Sequence, residues 1–316
     1  YSLAKYNRDK DIKLRDVLFL CHARPKDAAQ AALWKRLVDD TLAVPDTWEV
    51  ELSKSSNKFD SWCRLVTEKK LGGLATLRNI RNMREAGLDK KTISQAIEQA
   101  NYGKVLPFRF IAAANHNNQF EESLEKAMLS TLQGYKKLKG RTLLILDISG
   151  SMGAGLSGKS EMTRYDAACA LGMILREVCE DITIYATAGN DGMREHATDV
   201  VAPRRGFALK DAIKAMNRTL GSGGIFLKQC VDYVNNAEKL SANNLVERVI
   251  VLTDEQDTSG TKLNPNETVP HGVNNYLINI ASAKNGIGYG NWTHIDGFSE
   301  SVVKFIMAYE DFEDEQ

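Results

Sequence analysis

Asp147, Ser149 and Ser151 occupy alternate positions in the run Asp-Ile-Ser-Gly-Ser, directly after the apolar segment 142–146. Alternate residues of an extended turn point to one side, so three oxygen donors are expected to converge. Asp254, in Leu-Thr-Asp-Glu after the apolar run 249–252, has the same position at the end of another strand. Hard oxygen donors around one point suit Mg²⁺, which keeps several waters and rarely fills its shell from protein groups alone. The competing reading is a serine-rich turn that caps a helix.

The other chemistry the residues offer is charge. Lys and Arg (41) balance Asp and Glu (41) over the 316 residues, but residues 1–140 hold 25 basic against 17 acidic side chains, a net of plus eight, and the remainder is minus eight. A basic half suits a polyanion and an acidic half a metal site or solvated faces. Arg78, Arg81 and Arg84 recur at i, i+3 and i+6 beside Leu74, Leu77 and Ile80. They form either a phosphate-tracking row or a plainly solvated helix face. Lys136, Lys137, Lys139 and Arg141 make a basic linker, a charged hinge by default. His22, taken alone, reads as a structural histidine at a helix C-terminus.

Several classes are excluded. No nucleophile stands with its base, and there is no P-loop and no paired metal cluster, so no enzyme is expected. His116, His196, His271 and His294 are isolated in sequence, and the glycines of 286–290 precede a short strand at 293–295, as a turn does. Five scattered cysteines without a CxxC pair argue against a disulfide framework and a structural zinc site. No window reaches the roughly 20 apolar residues of a membrane span, and residues 1–10 are too polar for a signal peptide. A cytoplasmic protein with no membrane partner is expected.

The elements that must position these residues fall into two domains, 1–140 and 141–316. Residues 11–138 read as six or seven short helices. Apolar stripes run through Leu14, Val17, Leu18 and Cys21, through Ala29, Leu33, Leu37 and Val38, and through Leu74, Leu77, Ile80 and Met83, each needing a neighbouring helix. Breaks fall at Pro25, Pro45, Gly72/Gly73, Gly87 and Pro107. Stacked antiparallel pairs, a partial α-solenoid, fit this alternation. From Arg141 the pattern becomes α/β and doubly wound: strands at 142–146, 182–186, 248–253 and 276–280 alternate with helices at 165–179, 209–219 and 226–240. The last helix is expected at 301–309, with an acidic frayed tail at 310–316.

Asp147, Ser149, Ser151 and Asp254 resemble the metal-ion-dependent adhesion site of von Willebrand factor A domains, whose first motif is DxSxS and whose last is an Asp ending a central strand. The resemblance implies Ser149 and Ser151 as direct ligands and Asp147 and Asp254 as groups acting through water. Gly223-Gly224-Ile225-Phe226 is similar to that family's Gly-Gly-Thr segment with isoleucine in place of threonine, so one ligand oxygen is lost. Ser222, Thr219 or water would have to substitute, and the expected Mg²⁺ cofactor is in doubt.

The helical half narrows the resemblance. Lys5-Tyr6, Leu14-Arg15-Asp16-Val17-Leu18, Cys21-His22-Ala23-Arg24-Pro25-Lys26, Gly73-Leu74-Ala75-Thr76-Leu77-Arg78-Asn79-Ile80 and Leu106-Pro107-Phe108-Arg109-Phe110 resemble, in order, segments of the Ro autoantigen (TROVE) family. The likeness is to the second half of its HEAT-like helical-repeat domain plus the entire A domain. It implies RNA contacts at Lys5, Arg8 and His22, with Arg78, Arg81 and Arg84 beside them. In that family the repeats close into a ring whose hole takes single-stranded RNA ends and whose outer surface binds Y RNAs. Half a ring cannot close alone, so the chain is an abbreviated form, one of several assembling copies, or lacks its beginning. The expected function is binding of small structured noncoding RNA, with misfolded RNA ends, a homo-oligomeric contact at the incomplete repeat edge and an RNA-processing protein at the A domain as further partners. The alternative is an adaptor whose A domain takes a protein carboxylate through Mg²⁺.

Overall fold

The computed structural model describes residues 3, 11–43, 46–158, 161–258, 267–281, 290–299 and 301–314, without the side chains of 54, 313 and 314. Among these, eight helices precede the sheet: α1 (Leu14–Leu20), α2 (Ala28–Val38), α3 (Trp48–Lys54), α4 (Lys58–Thr67), α5 (Gly73–Glu85), α6 (Lys90–Gln99), α7 (Phe108–His116) and α8 (Glu121–Leu132). The count exceeds the six or seven expected because two of the breaks contain neither Gly nor Pro. One is at 55–57, where Asn57 Oδ1 accepts the Asp60 amide and starts α4. The other is at Asn117, which follows α7 and folds its side-chain amide back onto the Ala113 carbonyl at 2.9 Å. Polar caps do there what glycine and proline do elsewhere. Pro45 lies outside the described residues.

The described chain divides into two compact units, 1–72 with 81–96, and 73–80 with 97–316. In the first, α3 and α4 are tied by Arg64, whose Nη2 meets Glu51 Oε2 at 2.6 Å, and by Ser61, whose hydroxyl donates to Glu51 Oε1 at 3.1 Å. Trp62 and Leu65 are buried beneath them. The stripe expected on α1 is not covered. The helix buries none of its residues, and Val17, Phe19 and Leu20 stand in solvent. A helical repeat cannot bury its own apolar face and needs a stacked neighbour to do so.

The second unit holds a six-stranded sheet of β1 (Leu138–Asp147), β2 (Cys179–Asn190), β3 (Glu195–Val200), β4 (Val246–Thr253), β5 (Gly272–Asn279) and β6 (Thr293–Asp296), in the order β3-β2-β1-β4-β5-β6. All neighbours are parallel except β2 and β3. Sequence reading misses β3 because an antiparallel edge strand half in water carries no apolar run: in Glu-His-Ala-Thr-Asp-Val only Thr198 is buried. Helix α9 (Arg164–Val178) sets Gly172 against Leu144 and Leu146 on one face. On the other face α11 (Leu227–Ala237) joins Leu143, Ile145, Val249, Val251 and Leu277 in one core. Helices α7 and α8 pack on α9, and α8 packs on α10 (Gly206–Leu220). Thus 97–140, read from sequence with the helical half, is compact with the sheet.

Two expectations are corrected. The last helix, α12 (Ser301–Asp314), runs through most of the supposed acidic tail, because Glu310 is drawn under it by Arg248 on β4, Nη2 to Oε2 2.6 Å. The basic linker is no free hinge either. β1 begins inside it at Leu138, Lys136 is paired with Asp311, Lys137 donates to the Glu177 carbonyl, and Arg141 meets Glu238 at 2.5 Å. Carboxylates on neighbouring elements take up Lys136 and Arg141 locally.

Candidate functional site

The pairing of β1 with β4 sets Leu146 level with Leu252. Asp147 therefore leaves the sheet beside Thr253, and Asp254 follows one residue later, at the carboxyl edge where ligands of open α/β sheets bind. The turn after β1 is held by its own first residue: Asp147 Oδ1 accepts the Ser149 amide at 2.8 Å, and Oδ2 accepts the Thr253 hydroxyl at 2.7 Å. Ser149 Oγ lies 3.2 Å from Ser151 Oγ, and Ser151 donates to Asp254 Oδ1 at 3.1 Å. The structure thus brings together all four oxygen-bearing residues singled out in the sequence. Asp147 is fully buried, and that burial pushes its carboxyl up to about 6 against the lowering influence of the Thr253 and Ser149 hydrogen bonds.

The third segment of the site arrives across two close approaches. A Cβ on Gly223 would stand 2.1 Å from the Gly189 carbonyl oxygen, and one on Gly189 would meet the Phe226 ring at 2.4 Å. These glycines let the segment lie against the end of β2, where Ser222 O accepts the Gly150 amide at 3.0 Å. Because the obstacle at Gly223 is backbone, G223A is expected to cost about 1–3 kcal/mol by overpacking. Thermal unfolding of the full chain checks this, and an unchanged melting temperature would show that the segment relaxes freely.

Ile225, at the position where the resemblance calls for threonine, is 0% exposed and belongs to the apolar core with Leu227, Val231 and Val251. Among the described residues, neither substitute is seen joined to the four oxygen-bearing residues by its hydroxyl. Thr219 donates its hydroxyl to the Met216 carbonyl on its own helix, and Ser222 is exposed while its carbonyl is taken by Gly150. Sequence reading also misses Arg164. This residue opens α9 behind the N-cap Thr163, and its Nη1 lies 2.6 Å from Asp254 Oδ2, with Asp254 0% and Arg164 19% exposed. No spacing rule links residues 90 apart, so only the fold shows the pair. Glu255 and His294, unremarkable in sequence, meet beside the site. Among the described residues no group of three or more His, Cys, Asp or Glu stands as a metal cluster. The residues present fit a divalent cation poorly: one ligand oxygen is replaced by buried hydrocarbon, and the Asp254 charge is already answered by a guanidinium.

Arg78, Arg81 and Arg84 are all exposed on α5, with Leu77, Ile80 and Met83 buried on its other side, and Arg81 pairs with Glu85 at 3.3 Å. His22 is exposed just beyond α1, in the left-handed region at φ 46°, its amide donating to the Phe19 carbonyl. Its backbone is the helix-terminal one expected, and its ring faces solvent. Lys5 and Arg8 lie outside the described residues, as do 286–289 of the glycine run. No described helix is long and apolar enough to cross a membrane.

Fold and site together define a chain of short helices followed by a doubly wound α/β body with oxygen-bearing side chains at its strand ends. Residues 40–167 are similar to the TROVE domain, and the chain has a fold of the Ro type. The Ro (RSR) protein of Deinococcus radiodurans has a similar structure, TM-score 0.59 at 18% identity, over 97% of this chain and 72% of that one. Telomerase protein component 1 of Mus musculus is 32% identical over 89 residues, and that of Rattus norvegicus 30%. The matched stretch is 26% of this chain and 3% of those relatives' length.

Proposed function

We propose that this chain binds small structured noncoding RNA of the Y type, as Ro ribonucleoproteins do, and acts in RNA quality control or processing. TROVE and Ro proteins are RNA-binding ribonucleoproteins rather than enzymes. The observation that carries the reading is the exposed Arg78, Arg81 and Arg84 row, which lies inside the TROVE-matched stretch 40–167. Guanidinium groups neutralise phosphates and release counterions. In this reading 1–140 is the RNA-binding domain, with Lys5, Arg8 and His22 as further contacts and single-stranded or misfolded ends as secondary ligands. Residues 141–316 form the A-like domain that meets a processing protein. The solvent-facing α1 is where a second copy would join, and the cytoplasm is where the complex would work.

The test is fluorescence anisotropy with a labelled RNA hairpin and an unstructured RNA of equal length, comparing the wild type with R78A/R81A/R84A. The triple variant is expected to bind the hairpin about 10–100-fold more weakly and to lower the salt slope by about 3. Its melting temperature should be unchanged, because all three side chains are exposed. Wild-type affinity in the triple variant would refute the assignment of the row.

A further inference from the structure

Two departures at the strand ends act in the same direction. Ile225 removes an oxygen that a metal would need, and Arg164 brings a positive charge to the carboxylate that a metal would neutralise. An arginine at the first position of a helix is disfavoured by the dipole, which prefers anions there. The Thr163–Asp166 capping box answers the end of α9 itself, with Thr163 Oγ1 accepting the Asp166 amide at 3.0 Å and Asp166 Oδ2 accepting the Thr163 amide at 3.1 Å. The Arg164 side chain is thereby left to reach across to the end of β4. Asp254, fully buried, would be costly as a bare anion. Its two oxygens accept from Arg164 Nη1 at 2.6 Å and from Ser151 Oγ at 3.1 Å.

We infer that Arg164 is the resident cation of this site, so that the A-like domain holds its strand-end loops closed by a guanidinium and needs no divalent metal. The arrangement makes three statements about solution behaviour. Mg²⁺ neither binds the wild type measurably nor stabilises it. Removal of the guanidinium opens Asp254 to an external cation. Restoring the missing oxygen alongside strengthens that binding.

The experiment is thermal unfolding and titration calorimetry of the full chain with Mg²⁺ and with Mn²⁺, applied to the wild type, R164Q, R164K and R164Q/I225T. For the wild type, no binding heat and no metal-dependent rise in melting temperature are expected. R164Q should melt several degrees lower without metal and regain part of that loss with it. R164Q/I225T should show the larger metal-dependent rise, and R164K, which retains a charge, the smaller. Tight Mg²⁺ binding by the wild type would overturn the inference. So would a double variant that folds and ignores both metals, since Arg164 would then not stand in a cation's place. If R164Q does not fold, R164K takes its place: a stable R164K with little or no response to metal supports a resident cation, and one that depends on metal as strongly as R164Q/I225T overturns it. The hairpin-RNA affinity of these variants is read separately, so failure here leaves the arginine row untouched.

Discussion

Replacing Arg248 by alanine is expected to destabilise the α/β body by about 3–5 kcal/mol, the range for removing one partner of a buried ion pair. The guanidinium is 3% exposed and each of its three nitrogens donates: Nε and Nη2 to Glu310 of α12, at 2.9 and 2.6 Å, and Nη1 to the Thr142 hydroxyl of β1 at 2.9 Å. Tyr276 of β5 adds its hydroxyl to Glu310 Oε1 at 3.1 Å. Arg248 thus joins three elements of the sheet to the helix that closes it. Alanine would leave a carboxylate, itself 12% exposed, facing the sheet with only a tyrosine hydroxyl. For a body of this size the melting temperature should fall by about 10 °C. The pair itself is a different matter, since desolvation offsets most of its attraction. R248M/E310L, which removes both charges and keeps the volume, should therefore recover most of the loss. If R248A melts like the wild type, α12 is held by its apolar side, Val303 and Ile306, alone.

The second large effect is on RNA. Between about 50 and about 200 mM salt, affinity for the hairpin should fall about 10²–10³-fold, as expected when roughly five phosphates are neutralised. The plus-eight balance of 1–140 supplies the charge. Its spatial form matters more than the total: Arg64, Lys70 and Lys126 are spent on Asp46, Glu51, Glu68 and Glu98. Among the described residues, Arg78 and Arg84 are exposed and form no such salt bridge. A flat salt response would mean that binding does not run through phosphates, and the RNA reading would lose its physical basis.

The α/β body and most of the helices before it were legible because their signals are local. A five-residue apolar run ending in Asp-Ile-Ser-Gly-Ser can only be a buried strand and its exit loop, and α5 announces its buried side through Leu77, Ile80 and Met83. What escaped was either half-wet or non-local. β3 has no apolar run because one side faces water, α3 and α4 part at a polar cap, and Glu310 looks like the start of a solvated tail until Arg248 is seen beneath it.

Residue types and short spacings determined by themselves the buried parallel strands and most of the helices, and that Asp147, Ser149, Ser151 and Asp254 gather at strand ends, since periodicity and turn chemistry act over a few residues. Only the tertiary structure decided what balances their charge. The sheet order places β4 beside β1 and brings the first residue of α9 to Asp254, 90 positions away. Which counter-ion a buried carboxylate receives is fixed by whatever charge the packed chain leaves within a few ångströms of it, a distance that no reading along the sequence contains.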